Sequence, residues 1–256
     1  MVAKKAKSIA KKATIQFYKL SLKVEKENSP FYPEFSILAK TTEAVNSFNS
    51  LYKSRRSGAR GGPSTHDQQD LYRAMLIFAC AGLDTFVKQL VKSKLPKLIN
   101  VELEAEKKFK EYVKSGLKKD DKAVLNTVAL ALIDKAPRNI FLEEYIENLT
   151  ANSLQSVSDL CKISDASGLE TKQIFSPQRM NSLKDAFIVR NQIIHEMDIT
   201  VSASTSRTTG YRTRRQRVSS VMEKHTRSML DLGQDLFGAY KDKFEKYKIE
   251  VEKALP

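Results

Sequence analysis

Only two cysteines are present, Cys80 and Cys161, and neither has the close partner that a disulfide framework or a CxxC metal site requires. Cys80 lies in an apolar stretch and is expected to behave as a small core residue. Glycine and proline are scarce, nine and seven in 256 residues, and apolar positions recur mostly at helical rather than alternating spacing, so an all-α fold is expected. Long apolar runs are missing too. The longest, around residues 74–83, is far short of a membrane span, and the lysine-studded N-terminus has no apolar h-region. A cytoplasmic protein that does not engage a membrane is the expectation. Absent as well are a P-loop, a G-x-S-x-G elbow, an H-E-x-x-H pair and a D-x-D carboxylate cluster. No metal or cofactor is expected.

Positive charge is abundant, and its placement says more than its size. Of a net +14, residues 1–30 carry eight lysines against two glutamates, and residues 53–60 add Lys53, Arg55, Arg56 and Arg60. Residues 207–217 add Arg207, Arg212, Arg214, Arg215 and Arg217 with no acid. Those windows together exceed the whole net charge, so the body is near neutral and the field sits on tails and loops. That arrangement suits a polyanion binder built on an ordinary globule. Tyr211, set among the arginines, offers a ring on which a base can stack, and arginines donate bidentately to phosphates. These residues, with Arg55 and Arg56, are the candidate RNA contacts; the alternative for the loop arginines is pairing with nearby carboxylates. An anionic membrane is the weaker partner, because the N-terminal segment has little of the apolar face an interfacial helix needs.

Helices are expected over residues 4–24, 34–53, 68–95, 101–114, 122–135, 141–149, 154–163 and about 215–252, with Pro96 closing the central one. Residues 1–34 are assigned to a basic helical extension and 35–256 to one helical domain with a basic loop at 200–214. The acids Glu143, Glu144 and Glu147 are expected on a solvated face, and Val124, Val128 and Leu132 in packing.

Chemistry concentrates in one stretch, LKDAFIVRNQIIHEMD at residues 183–198. Ser176 followed by Pro177 reads as an N-cap with proline at the first helical position, where its missing N–H is harmless. Met180, Leu183, Phe187 and Ile194 recur at helical spacing, widened by Ala186 and Ile193 into a core-facing stripe. Arg190 is expected at the edge of this stripe, with Asn191 and His195 four apart on one face. Spacing alone decides little, since Arg60 and His66 stand similarly far apart inside a Gly/Pro loop.

The run R-N-Q-I-I-H at 190–195 resembles the R-N-x-x-x-H signature of the HEPN superfamily, the higher eukaryote and prokaryote nucleotide-binding domains, and within it the RiboL-PSP-like prokaryotic branch. Residues 72–90, YRAMLIFACAGLDTFVKQL, are similar to that family's long central helix, with Asp84 as the acid in its middle. The resemblance implies an all-α helical bundle with a long central and a long C-terminal helix. It also implies a metal-independent endoribonuclease acting as a toxin or antiviral defence effector, or alternatively a noncatalytic module that binds RNA, nucleotide or a partner protein.

Metal-free cleavage is feasible on RNA because the ribose 2'-OH can attack the adjacent phosphodiester, leaving a 2',3'-cyclic phosphate and a 5'-OH. In that scheme His195 exchanges protons with the 2'-OH or the leaving oxygen, as a side chain type that titrates near neutrality. Arg190 clamps the nonbridging oxygens, and Asn191 orients the imidazole or bonds the phosphate. Asp84 is expected to hold Arg190 or His195, or else to form a structural bridge between helices. Positions five apart on a helix are rotated by roughly 140°, so one chain does not aim Arg190 and His195 at one atom. The resemblance implies a homodimer that pairs two motif helices across a shared cleft, and an antitoxin or regulatory partner is compatible with the family.

Overall fold

The longest helix, α2 (His66–Ile99), starts at a reciprocal cap. Thr65 Oγ1 accepts from the N–H of Gln68 at 3.3 Å, and Gln68 Oε1 accepts from the N–H of Thr65 at 3.1 Å. Pro96 does not end this helix, which continues to Ile99. Proline removes one helical hydrogen bond at a cost of about 3 kcal/mol. Leu95, Leu98 and Ile99 are all fully buried around it, and burial of each contributes about 1.5–3 kcal/mol, so packing outweighs the lost bond. The computed structural model describes residues 16–57, 64–118, 122–134, 136–154, 156–201 and 212–247. Among these, nine helices and one two-stranded hairpin form, as an all-α chain should.

Three long helices surround α2. The helix α1 (Tyr32–Arg56) runs antiparallel to it, with Tyr52 against Tyr72 at 4.4 Å between ring centroids and Phe48 against Phe78 at 5.0 Å. The last long helix, Ser219–Lys246, numbered α9 in chain order, runs parallel to α2: Tyr72 donates to Glu223 near one end, and Phe86 meets Phe237 farther along. Antiparallel to α9 lies α8 (Pro177–His195), joined to it by Ser182 and Ser228 at 3.0 Å.

Gly82 lets α1 approach α2, since a Cβ there would stand 2.1 Å from Thr41 Oγ1 and 2.7 Å from Thr41 Cβ. Alanine gains about 1 kcal/mol of helix propensity over glycine, whereas overpacking a filled interface costs about 1–3 kcal/mol. Thr41 is β-branched and its hydroxyl is held by the carbonyl of Ile37, so it has little room to yield. Gly82→Ala is expected to lower the thermal midpoint by about 2–6 °C, and Gly82→Ala with Thr41→Ala to recover most of it, both by calorimetry.

Of the remaining helices, α3 (Leu103–Lys118) and α5 (Pro137–Thr150) pack on α2, α4 (Lys122–Ile133) packs on α5, α6 (Val157–Ala166) on α3 and α8, and the short α7 (Thr171–Ile174) on α6 and α9. Glu143 and Glu147 are exposed there, and no acid, histidine or cysteine cluster among the described residues could hold a metal. The side chains of Val124 and Leu132 lie outside the described residues.

The chain over 16–24 is not helical, contrary to the expectation for residues 4–24; residues 1–15 lie outside the described set. Phe17 and Tyr18 are buried instead. Tyr18 exchanges backbone bonds with the Asn46 amide at 2.9 Å each way and donates its hydroxyl to Asp231 at 2.6 Å. Anchoring aromatics to α1 and α9 thus wins over the lysine-rich helical pattern.

By length and composition α2 is apolar enough to cross a membrane, and half of its most apolar window is buried within the bundle. A helix packed on several sides needs an apolar surface of this extent.

Candidate functional site

The motif helix α8 begins as its cap signal demands, with Ser176 Oγ accepting from the N–H of Arg179 at 3.3 Å and Pro177 in the first turn. Leu183, Ala186 and Phe187 are buried and anchor it, and Val189 and Ile193 pack on the same core. The stripe is narrower than its spacing suggests. Met180 and Ile194, expected to face the core, are 39% and 40% exposed, and Ile188 is 47% exposed. They border the face of α8 that carries Lys184, Asn191 and His195, all at least half-open to solvent or partly so.

Arg190 is half-buried beside α2, and its Nη1 donates to Asn191 Oδ1 at 2.8 Å. Its charge reaches Cys80: burial pushes that thiol up to about 12, with Arg190 pulling the other way. His195 is exposed and has no hydrogen-bond partner among the described residues. Arg190 and Asn191 are therefore brought together, and His195 stands a turn away without a bond to either.

Asp84 does not hold either residue. Its carboxylate accepts the N–H of Leu154 at 2.8 Å and pairs with Lys88 at 3.1 Å. One turn of α2 separates it from Cys80, and it ties the start of the α6 region to the central helix.

The strongest charge cluster lies just beyond the motif and was not anticipated. After His195 the chain passes through Met197 and Asp198 at φ 52° and 55° and turns into β1 (Ile199–Val201), which pairs antiparallel with β2 (Arg212–Arg214). Asp198 is fully buried. Arg73 Nε donates to it at 2.7 Å, and Arg217 donates through Nε at 3.1 Å to both oxygens and again through Nη2. Burial pushes the Asp198 carboxyl up, but hydrogen bonds from Arg217 and Arg73 outweigh it and hold the group below the usual carboxylate range. Arg73 also donates to Asp70 at 3.0 Å and to the carbonyl of Arg215 at 2.7 Å.

These pairings revise the basic loop. Arg217 is bonded to Asp198 and, at 2.7 Å, to Gln192. Arg214 forks onto Asp70 at 2.6 and 3.0 Å, and Arg215 meets Glu196 at 2.9 Å, the carboxylate-paired alternative for both. Both still reach the surface, their side chains 41% and 27% exposed. Arg207 and Tyr211 lie outside the described residues, as does the side chain of Arg212, whose backbone forms β2. Arg55 is exposed at the end of α1, and Arg56 is half-buried and donates to Ser64 Oγ at 3.2 Å. Antiparallel packing brings these two to the end of the bundle where α2 and α9 begin: the Arg55 carbonyl accepts from Gln68 Nε2 at 3.4 Å.

Near this end His225 is buried on α9, and its Nδ1 has no partner. Burial lowers its pKa, Asp185 opposes that, and Lys224 and Arg217 reinforce it. A histidine depressed in the folded state contributes stability that is fully present above its unfolded value near 6.5 and is lost as pH falls below that value. The thermal midpoint is expected to drop as pH falls below about 6.5, with His225→Gln flattening that slope in calorimetric scans; Asp198 and Asp70 act only at lower pH, since both are held below the ordinary carboxylate range.

No curated protein and no solved structure matches the chain. The family described as RiboL-PSP-HEPN matches residues 38–246, from within α1 to the last turn of α9 and across the whole motif helix. With that span, the all-helical bundle and R-N-Q-I-I-H at the end of α8, the chain belongs to the RiboL-PSP-like branch of the HEPN superfamily.

Proposed function

We propose that this protein is a metal-independent endoribonuclease that cleaves RNA by attack of the ribose 2'-OH, with a toxin or antiviral defence role in the cytoplasm. The observation that carries this reading is the motif face itself: Arg190 and Asn191 joined at the α2 edge, His195 open to solvent with no partner among the described residues, and arginines at the same end of the bundle. Arg190 is poised to meet charge developing on the nonbridging oxygens, and His195 to pass a proton. Arg55, Arg214 and Arg215 guide the backbone. The ion pairs of Arg214 and Arg215 are partly exposed and worth about 0–1 kcal/mol each, so a phosphate can displace their carboxylates.

A homodimer completes the site. Within one chain His195 reaches neither Arg190 nor Asn191, and Ile188 and Ile194 leave apolar surface beside them. Two motif faces brought together cover that surface and supply the missing partners. An antitoxin or regulatory protein that covers the same face would silence it.

Purified protein incubated with total RNA in EDTA tests this. Cleavage that leaves 2',3'-cyclic phosphate and 5'-OH ends is the expected result. RNA binding without cleavage, as dimer and monomer alike, points instead to the noncatalytic module.

A further inference from the structure

We propose that the buried cluster of Asp198 with Arg73 and Arg217 is the positioning centre for His195, an inference that rests on His195 acting in RNA cleavage. Gln192, inside the motif itself, is held from two directions. Its side-chain carbonyl accepts from Arg217 Nη2 at 2.7 Å, and its backbone carbonyl accepts the N–H of both Glu196 and Asp198, at 3.1 and 2.9 Å. The carbonyl of Asp198 in turn accepts the N–H of Arg215 at 2.8 Å, and the side-chain carbonyl of Gln69 on α2 accepts the N–H of Arg217 at 2.9 Å. His195 therefore sits in a last helical turn followed by a bend that α2 and the segment between β2 and α9 hold in place.

Two costs are concentrated here. Met197 and Asp198 both adopt the left-handed conformation, at about 1–2 kcal/mol for a residue other than glycine. Two members of the ionic trio are buried, Asp198 entirely and Arg73 to all but 4%, where apolar residues of similar volume often serve stability as well or better. Both costs fall within three residues of His195, on the segment that fixes where its imidazole points. Strain and buried charge at such a place are the mark of a site that trades stability for geometry. Arg73 and Arg217 touch neither Arg190 nor His195 in the structure, so they act through the backbone path and through Gln192.

The test uses the full chain and the variants Gln192→Ala, Arg217→Lys and Asp198→Asn, each assayed at a temperature where circular dichroism shows it folded. Asparagine keeps the size of Asp198 and tolerates the left-handed conformation, and Gln192→Ala leaves the ionic trio whole. The expected result is a fall in kcat of tenfold or more with KM changed less than twofold. The His195 imidazole resonances of histidine-labelled protein, identified by their loss in His195→Ala, are expected to shift or broaden in the same variants. An unchanged kcat overturns the proposal, as does a raised KM with kcat kept, or a reduced kcat with the His195 resonances unmoved. If the wild-type protein cleaves no RNA, the reaction is wrong, and the resonances alone decide whether the cluster positions His195.

Discussion

Alanine at position 195 is expected to lower kcat for RNA cleavage by about 10²–10⁴-fold, the range for removing a positioned acid or base, with little change in stability. His195 is exposed and bonds to nothing among the described residues, so its removal should move the unfolding free energy by no more than about 0.5 kcal/mol. Arg190→Ala is expected to cost about 10²–10³-fold, as loss of one group that stabilises developing charge. The double variant should fall little below the worse single one, because residues that act as a unit are not additive. Single-turnover cleavage of a defined RNA in EDTA, with thermal midpoints measured in parallel, checks all three. Cleavage that persists at the wild-type rate in His195→Ala would remove the histidine from the mechanism, whatever RNA it binds.

What could be read in advance was local. The start of α8 was legible because Ser176 and Pro177 act within one turn, and the burial of Leu183, Ala186 and Phe187 follows from helical spacing. The pairing of Arg190 with Asn191 joins neighbours in sequence. What escaped depended on residues far apart in the chain. Arg73 reaches Asp198 across 125 positions, and nothing near either residue announces the other. The hairpin of three-residue strands has no alternating pattern to betray it, since Arg212, Thr213 and Arg214 read as a polar loop. Met180 and Ile194 were misplaced because periodicity locates the middle of an apolar stripe better than its edges. Asp84 was assigned to the motif on family likeness, but helix register aims its carboxylate at the N–H of Leu154. Tertiary contacts also overruled local rules twice, at Pro96, which the core keeps helical, and at Phe17 and Tyr18, which replace a helix with a packed strap.

Asp198→Ala is the substitution expected to cost the most stability, about 3–5 kcal/mol, because it leaves two guanidinium groups facing each other without their anion. Arg73 is almost wholly buried and keeps one anionic partner, Asp70, itself shared with Arg214, beside the carbonyl of Arg215, while Arg217 keeps Gln192. Alanine also loses the tolerance for the left-handed conformation that aspartate has, which adds to the cost at φ 55°. At about 2–4 °C per kcal/mol for a chain of this size, the midpoint should fall by about 6–20 °C. Asp198→Asn should fall less, since the amide oxygen still accepts one guanidinium bond and the backbone conformation is kept. Arg217→Ala should be milder still, because its side chain reaches solvent and Arg73 continues to neutralise Asp198. The order Ala, Asn at 198, then Ala at 217, measured by calorimetry at neutral pH, separates a buried charge left unpaired from a lost surface contact. If the ion cluster contributed only as surface pairs do, at about 0–1 kcal/mol each, the three variants would be indistinguishable within a few degrees.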